Sequence, residues 1–283
     1  MRSGAEETLL PNTKSCARLA ELTRAFSHGA AEKWNESDDM RYLSEKLGKW
    51  MPGNKALAVN SRPNLSAVMD SINATLAHGP ATRLPDEFYD ERVRKVIDRI
   101  VIDEMFRGYT VSRELRMLGV GPLIGGMVLK MVDQVEWNRK HDMQSSAPPR
   151  LSLLGCHDRT IGSVLASLGC LNSDEQWPPF TSHIVFELFR KAQITPPSSD
   201  ERGQRWPWNG ATTSLAPIGE EGDTGERRAI GRRPVTKLTT EEMQELDEYF
   251  VRVRYNDRIM TIPGCRAEGK HFNGDESLCT LVS

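Results

Sequence analysis

The spacing of apolar residues changes once along this chain, and the change falls at Pro148-Pro149. Before that point the spacing is helical. Val93, Val96, Ile97, Ile100, Val101 and Met105 make one stripe with Arg, Lys and Asp opposite, the pattern of a helix with one buried face. Leu19, Leu22 and Phe26 repeat that spacing, and Met40 to Leu47 reads as a short amphipathic helix stopped by Met51-Pro52-Gly53. A further helix is expected from about Leu123 to Asn138. The section from about 14 to 143 is therefore expected to be a helical domain, with one strand at about 56–59, Ala56-Leu57-Ala58-Val59.

Beyond the prolines the runs are of strand length. Leu151-Ser152-Leu153-Leu154-Gly155-Cys156 is followed at once by an amphipathic helix with Ile161, Val164, Leu165 and Leu168 on one face and Gly169 as its stop. A second strand is expected at Ile184 to Phe189, after the turn-forming Trp177-Pro178-Pro179. Residues 195–236 are rich in Pro, Gly, Ser and charge and read as a linker or disordered insertion. A hairpin closes the series: Tyr249 to Tyr255, the turn Asn256-Asp257, then Ile259 to Ile262. No internal repeat is present.

Composition narrows the function classes. The 283 residues carry Lys+Arg 37 against Asp+Glu 39, a net charge of −2, so no global field draws nucleic acid or anionic lipid. No apolar run approaches the roughly 20 residues of a membrane span, so no integral membrane segment is expected. Met1 to Glu7 and Leu9-Leu10-Pro11 lack the apolar core of a secretion signal, which makes the cytoplasm the default expectation. Five cysteines without a C-x-x-C pair support neither a zinc ribbon nor a thioredoxin-type site. Neither a metal nor another cofactor is expected. Cys265 and Cys279 are close enough in sequence to pair, but reduced thiols are the default expectation.

His157-Asp158 is the most informative pair. Both residues lie at the carboxyl end of an expected strand, where open α/β sheets place their ligand sites. The helix that follows offers backbone N–H groups and a positive dipole end suited to phosphate. The plain alternative makes Asp158 the N-cap of that helix. His141-Asp142 repeats the dipeptide in a charged helix end without this context. Arg62 follows the expected strand at 56–59 and precedes a helix, a position from which its guanidinium can fork onto phosphate oxygens; a solvated surface role is the alternative. Glu187, inside an apolar strand, needs a partner if buried. His78-Gly79-Pro80 reads as a helix-ending turn. The basic residues Arg227, Arg228, Arg232, Arg233 and Lys237 read as solvated linker. The sequons at Asn35, Asn64 and Asn73 carry little weight without a signal sequence.

Together, Leu153-Leu154-Gly155-Cys156-His157-Asp158-Arg159-Thr160-Ile161, Leu168-Gly169, Trp177-Pro178-Pro179-Phe180 and Phe186-Glu187-Leu188 resemble the C-terminal half of the histidine acid phosphatases. Val251-Arg252-Val253-Arg254-Tyr255-Asn256, Ile262-Pro263-Gly264-Cys265 and Cys279-Thr280-Leu281 continue the similarity, which spans about 150 to 281 apart from the insertion. Glu32-Lys33-Trp34-Asn35 and Gly48-Lys49-Trp50-Met51-Pro52 are similar to the helical domain of eukaryotic, especially fungal, members. The resemblance implies an α/β, phosphoglycerate-mutase-like sheet with a largely helical inserted domain, and residues 150–283 would be the C-terminal part of that sheet domain. It also implies a phosphomonoester substrate hydrolysed through a phosphohistidine. Within it, His157 would contact the phosphate, Asp158 would protonate the leaving alcohol, and Arg62, four residues before Ser66, would be a phosphate-binding arginine. A charged cradle stabilises the phosphoryl group in transfer, and an acid delivers a proton to the alkoxide.

The family's Arg-His-Gly-x-Arg segment occurs nowhere in the 283 residues. Ser27-His28-Gly29 and Ala77-His78-Gly79 lack the preceding Arg. The nucleophile, two phosphate-binding arginines and the first strand of the sheet are thus missing from the pattern, so the sheet is expected to be incomplete at its N-terminus. Loss of a covalent nucleophile can cost on the order of 10⁶ in turnover. Two functions follow as expectations: a phosphomonoesterase represented by an incomplete and inactive chain, or a catalytically dead member that binds phosphate or a protein.

Overall fold

The computed structural model describes residues 8–9, 11–140, 147–171, 176–191, 233 and 235–282. The expected insertion at 195–236 and His141-Asp142 lie outside the described residues, apart from Arg233, Val235 and Thr236.

Six α-helices come first: α1 (Ala17–Trp34), α2 (Asp38–Leu47), α3 (Leu65–His78), α4 (Glu91–Val111), α5 (Arg113–Gly119) and α6 (Gly121–Lys140). The starts of α1 to α5 are set by side chains that accept orphan backbone N–H groups. Ser37 accepts from Met40 N at 3.2 Å, Asn64 from Ala67 N at 3.1 Å, Asp90 from Val93 N at 3.1 Å and Ser112 from Leu115 N at 3.1 Å. The stripe read from the sequence of α4 is the centre of the core: Val93, Val96, Ile97, Ile100 and Val101 are buried, together with Phe106 one turn on. No single helix among the described residues is long and apolar enough to cross a membrane; α5 and α6 together reach that length and composition but meet at a bend of 66°.

The expected strand at 56–59 is not one. Its residues form no ladder, and Leu57 and Val59 are buried in the helical core instead. An apolar run of four residues reports burial, not the partner that buries it.

The later section holds α7 (Asp158–Ser167), β1 (Ile184–Arg190), α8 (Thr240–Leu246), β2 (Tyr249–Tyr255), β3 (Arg258–Met260), β4 (His271–Phe272) and β5 (Asp275–Thr280). Gly169, at φ 71°, ends the turn after α7, a conformation that favours glycine. The hairpin forms as expected, with Asn256 at φ 51° in its turn and Tyr255 opposite Arg258. The five strands form one open sheet, antiparallel throughout, in the order β1-β2-β5-β4 with β3 also on β2. Cys265 and Cys279 are joined in a disulfide across 14 residues, with Cα atoms 5.3 Å apart. The default expectation of reduced thiols is corrected here: the fold of β5 brings together the two cysteines whose spacing leaves a pair possible.

β1 pairs with β2 alone among the described residues. Asn256 N–H donates to the His183 carbonyl and Lys191 N–H to the Glu248 carbonyl. Backbone groups alternate sides along a strand, so those of Ile184, Phe186, Leu188 and Arg190 point to the open edge. The expected strand at 151–156 also lacks a ladder. Leu151 and Leu153 are 74% and 84% exposed. Between these two extended stretches runs a trench of about 990 Å³, lined by Leu123, Met127, Ile161, Val164, Phe186 and Leu188 among others.

Candidate active site

The site is built on the N-terminus of α7. α1 to α5 and α8 each begin with a side chain bonded to a first-turn N–H, and α8 has a full capping box from Thr239 and Glu242. At α7 the N-cap is His157, extended at φ −92° and ψ 161°, and its side chain caps nothing. The imidazole is exposed at the positive end of the helix dipole.

Asp158 is therefore not the N-cap that the plain alternative proposed. It occupies the first helical position, and both of its carboxylate oxygens are engaged. Oδ1 accepts from Arg159 N at 2.7 Å and Oδ2 from the Trp177 indole Nε1 at 2.7 Å. The helix end is also less bare than its sequence suggests, because the Thr160 N–H bonds the His157 carbonyl at 3.0 Å.

Packing brings further charged groups to this end. Asp70, on α3, meets solvent on one side, yet partial burial raises its carboxyl above the usual range; Arg159 opposes that rise and Asp158 adds to it. Burial likewise raises Glu104, on α4, against a 3.0 Å hydrogen bond from the Ser27 hydroxyl and the charge of Arg159. The Cys156 thiol is pushed up by burial first and by the Asp158 charge second. The charge of Arg159 thus acts on two acids, Asp70 and Glu104, that sequence reasoning did not assign to the site. Only the packing of α3 and α4 near α7 reveals them.

Arg62 stands on the loop into α3, exposed, and precedes Pro63 through a cis peptide bond. That loop leads into the helix that carries Asp70, which lies about 8 Å along the axis from Leu65 at 1.5 Å per residue. The described contacts do not join Arg62 to His157 or Asp158. Glu187 faces Arg252 across the β1–β2 ladder, but Arg252 turns to Asp275 at 3.7 Å and to the Phe189 ring at 5.0 Å. One Glu187 oxygen is left buried without a partner. His78-Gly79 forms the helix-ending turn expected of it, with Gly79 at φ 95°. Arg233, from the basic run, pairs with Glu242.

An open helix end beside an antiparallel sheet, with an adjacent imidazole and a carboxyl held on both oxygens, defines a class: an α/β protein with a polar, charged site at a helix N-terminus. Comparison with known proteins makes the class specific. The family model for the histidine phosphatase superfamily (branch 2) matches residues 2–206. A probable acid phosphatase of Schizosaccharomyces pombe is 31% identical over 280 residues, covering 99% of this chain and 56% of that relative. The chain belongs to the histidine phosphatase superfamily, branch 2. It spans little more than half the length of the curated relative it matches.

Proposed function

We propose that this chain supplies the leaving-group side of a phosphomonoester hydrolase site. Asp158 is the proton donor to the departing alcohol, His157 contacts the phosphoryl group, and Arg62 binds phosphate from the α3 loop. The observation that carries the reading is the Asp158 carboxyl at the first position of α7, held by N–H donors on both oxygens beside an uncapped, exposed His157. The helix dipole favours an anion there, and Asp158 is adjacent in sequence to the residue that would meet the phosphoryl oxygens. The family's Arg-His-Gly-x-Arg segment is absent from the sequence, so the chain by itself is expected to be inactive. A purely phosphate-binding role is less well served, because the Asp158 charge adds to that of Asp70 at this helix end.

The test is hydrolysis of p-nitrophenyl phosphate by the purified chain between pH 3 and pH 7. No turnover above background is expected. Substantial turnover that vanishes in Asp158→Asn would show that a nucleophile is present among these residues and that the inactive reading is wrong.

A further inference from the structure

The second hydrogen bond to Asp158 arrives from 19 residues away, through a stack that begins on another helix. Trp177 is 5% exposed and its ring lies on Phe106 of α4, with centroids 5.0 Å apart and planes at 21°. Phe106 in turn lies against Gly162 of α7: a Cβ built on Gly162 would sit 2.1 Å from Phe106 Cζ. Only glycine lets the two helices close at this point. Gly162 is four residues after Asp158, on the same face of α7. The prolines after Trp177 restrict its backbone to extended conformations, and Pro178 is itself buried. The indole N–H is therefore delivered to Asp158 by a fixed series of contacts: Gly162 admits Phe106, Phe106 supports Trp177, and Trp177 donates to Oδ2.

We infer that Trp177 is a positioning residue for Asp158, aiming its carboxyl from the packing of α4 against α7. Its catalytic meaning rests on the reading of Asp158 as proton donor; the geometry does not. An aspartate at a helix end, bonded only to its own neighbour, retains rotamer freedom. A second donor from a rigid stack removes that freedom, and orientation of this kind is a large part of what a catalytic group requires. The same two N–H groups face the negative charge that appears on Asp158 as its proton departs, and hydrogen bonds to a charged acceptor are the stronger kind. The Trp-Pro-Pro segment, which reads from sequence as a turn, is thereby tied to the site.

The experiment is solution NMR of the full chain and its variants. The sequence has six tryptophans, so six indole N–H signals serve as one probe and five controls. In the wild-type chain the Trp177 indole proton is expected downfield of the free position. It should move back furthest in Asp158→Ala and part of the way in Asp158→Asn, whose amide oxygen is an uncharged acceptor, while signals remote from α7 stay in place. In Trp177→Phe, which keeps an aromatic ring on Phe106 but removes the donor, the Asp158 Hα–Hβ couplings should change from those of one rotamer to an average. A Trp177 signal unmoved in Asp158→Ala, or a single unchanged Asp158 rotamer in Trp177→Phe, would overturn the assignment. Neither readout requires turnover. Failure of the proposed function's inactive reading, detected by hydrolysis, is thus separate from failure of this one.

Discussion

The helical section and the sheet section answer the same problem, the burial of apolar residues, in opposite ways. From Leu19 to Leu123 the helices close on one continuous core, which also takes in Val164, Ala166 and Trp177 from the later part of the chain. The sheet section has two small clusters, one around Ile161, Leu165 and Val253, the other around Val132, Val135, Leu246 and Tyr249. It leaves Leu151, Leu153, Leu154 and Phe180 exposed. The physical difference lies in the backbone. A helix satisfies its own N–H and C=O groups, so its apolar face needs only side chains to pack on. A strand satisfies them through a neighbouring strand, and among the described residues β1 has a neighbour on one edge only.

A pair of substitutions tests that contrast directly. Phe106 is 1% exposed and supports Trp177, so Phe106→Ala should cost about 3–5 kcal/mol in urea unfolding. Leu153→Lys, in the unpaired run, should change stability by less than about 0.5 kcal/mol. Its effect should appear elsewhere. Open sheet edges with exposed apolar residues pair with other chains, so the wild-type chain should self-associate at micromolar concentrations and the Lys variant should do so less, as followed by size-exclusion chromatography with light scattering. A wild-type chain that stays monodisperse, or a Leu153→Lys chain as unstable as Phe106→Ala, would remove the distinction between the two sections.

The sheet section also carries a covalent link where its core is thin. Cys265 and Cys279 close a loop with a sequence separation of 14, and Cys279 lies opposite Val251 on β2 and His271 on β4. Loops of this size gain about 3 kcal/mol from closure. Cys279→Ser, or reduction, should lower the unfolding free energy by that order and should release β4 and β5 first in hydrogen exchange. If the helical section loses protection equally, the two sections unfold as one unit.

The sequence reveals these two sections unequally. The α4 stripe was legible because helical periodicity is local: each residue of the face lies within the same few turns. β1 and the β2–β3 hairpin were legible because Asn256-Asp257 marks the turn and its apolar flanks have strand length. The runs 56–59 and 151–156 carry the same local signal and are not strands, since pairing depends on a chain that the run itself does not contain. The disulfide was underestimated for a related reason, because closeness in sequence does not show that β5 brings Cys279 to Cys265. At the site, His157 and Asp158 were found as neighbours in sequence. Arg159, Asp70 and Glu104 were not, and neither was the bond from Trp177, which exists only because Gly162 lets Phe106 approach.

The helical section has an exception to its own closure, and it yields the smallest effect of the set. Asp98, on α4, is half-buried; burial pushes its carboxyl up to about 6, against the opposing charge of Arg94 one turn earlier. In the unfolded chain the same group loses its proton near pH 4. Between about pH 4 and pH 6 the folded form holds a proton that the unfolded form has released, so stability falls as pH rises through that window. Above it the whole penalty remains. Asp98→Asn keeps the shape without the charge and should stabilise the chain at pH 7 by on the order of 1 kcal/mol, reduced from the full shift because the group retains solvent contact. At pH 4, where the folded wild-type carboxyl is already neutral, the substitution should do almost nothing. Thermal unfolding of both chains at pH 4 and pH 7 measures the difference. An equal change at both values would mean that Asp98 is set by its shape or hydrogen bonding, and that the helical core tolerates the charge without cost.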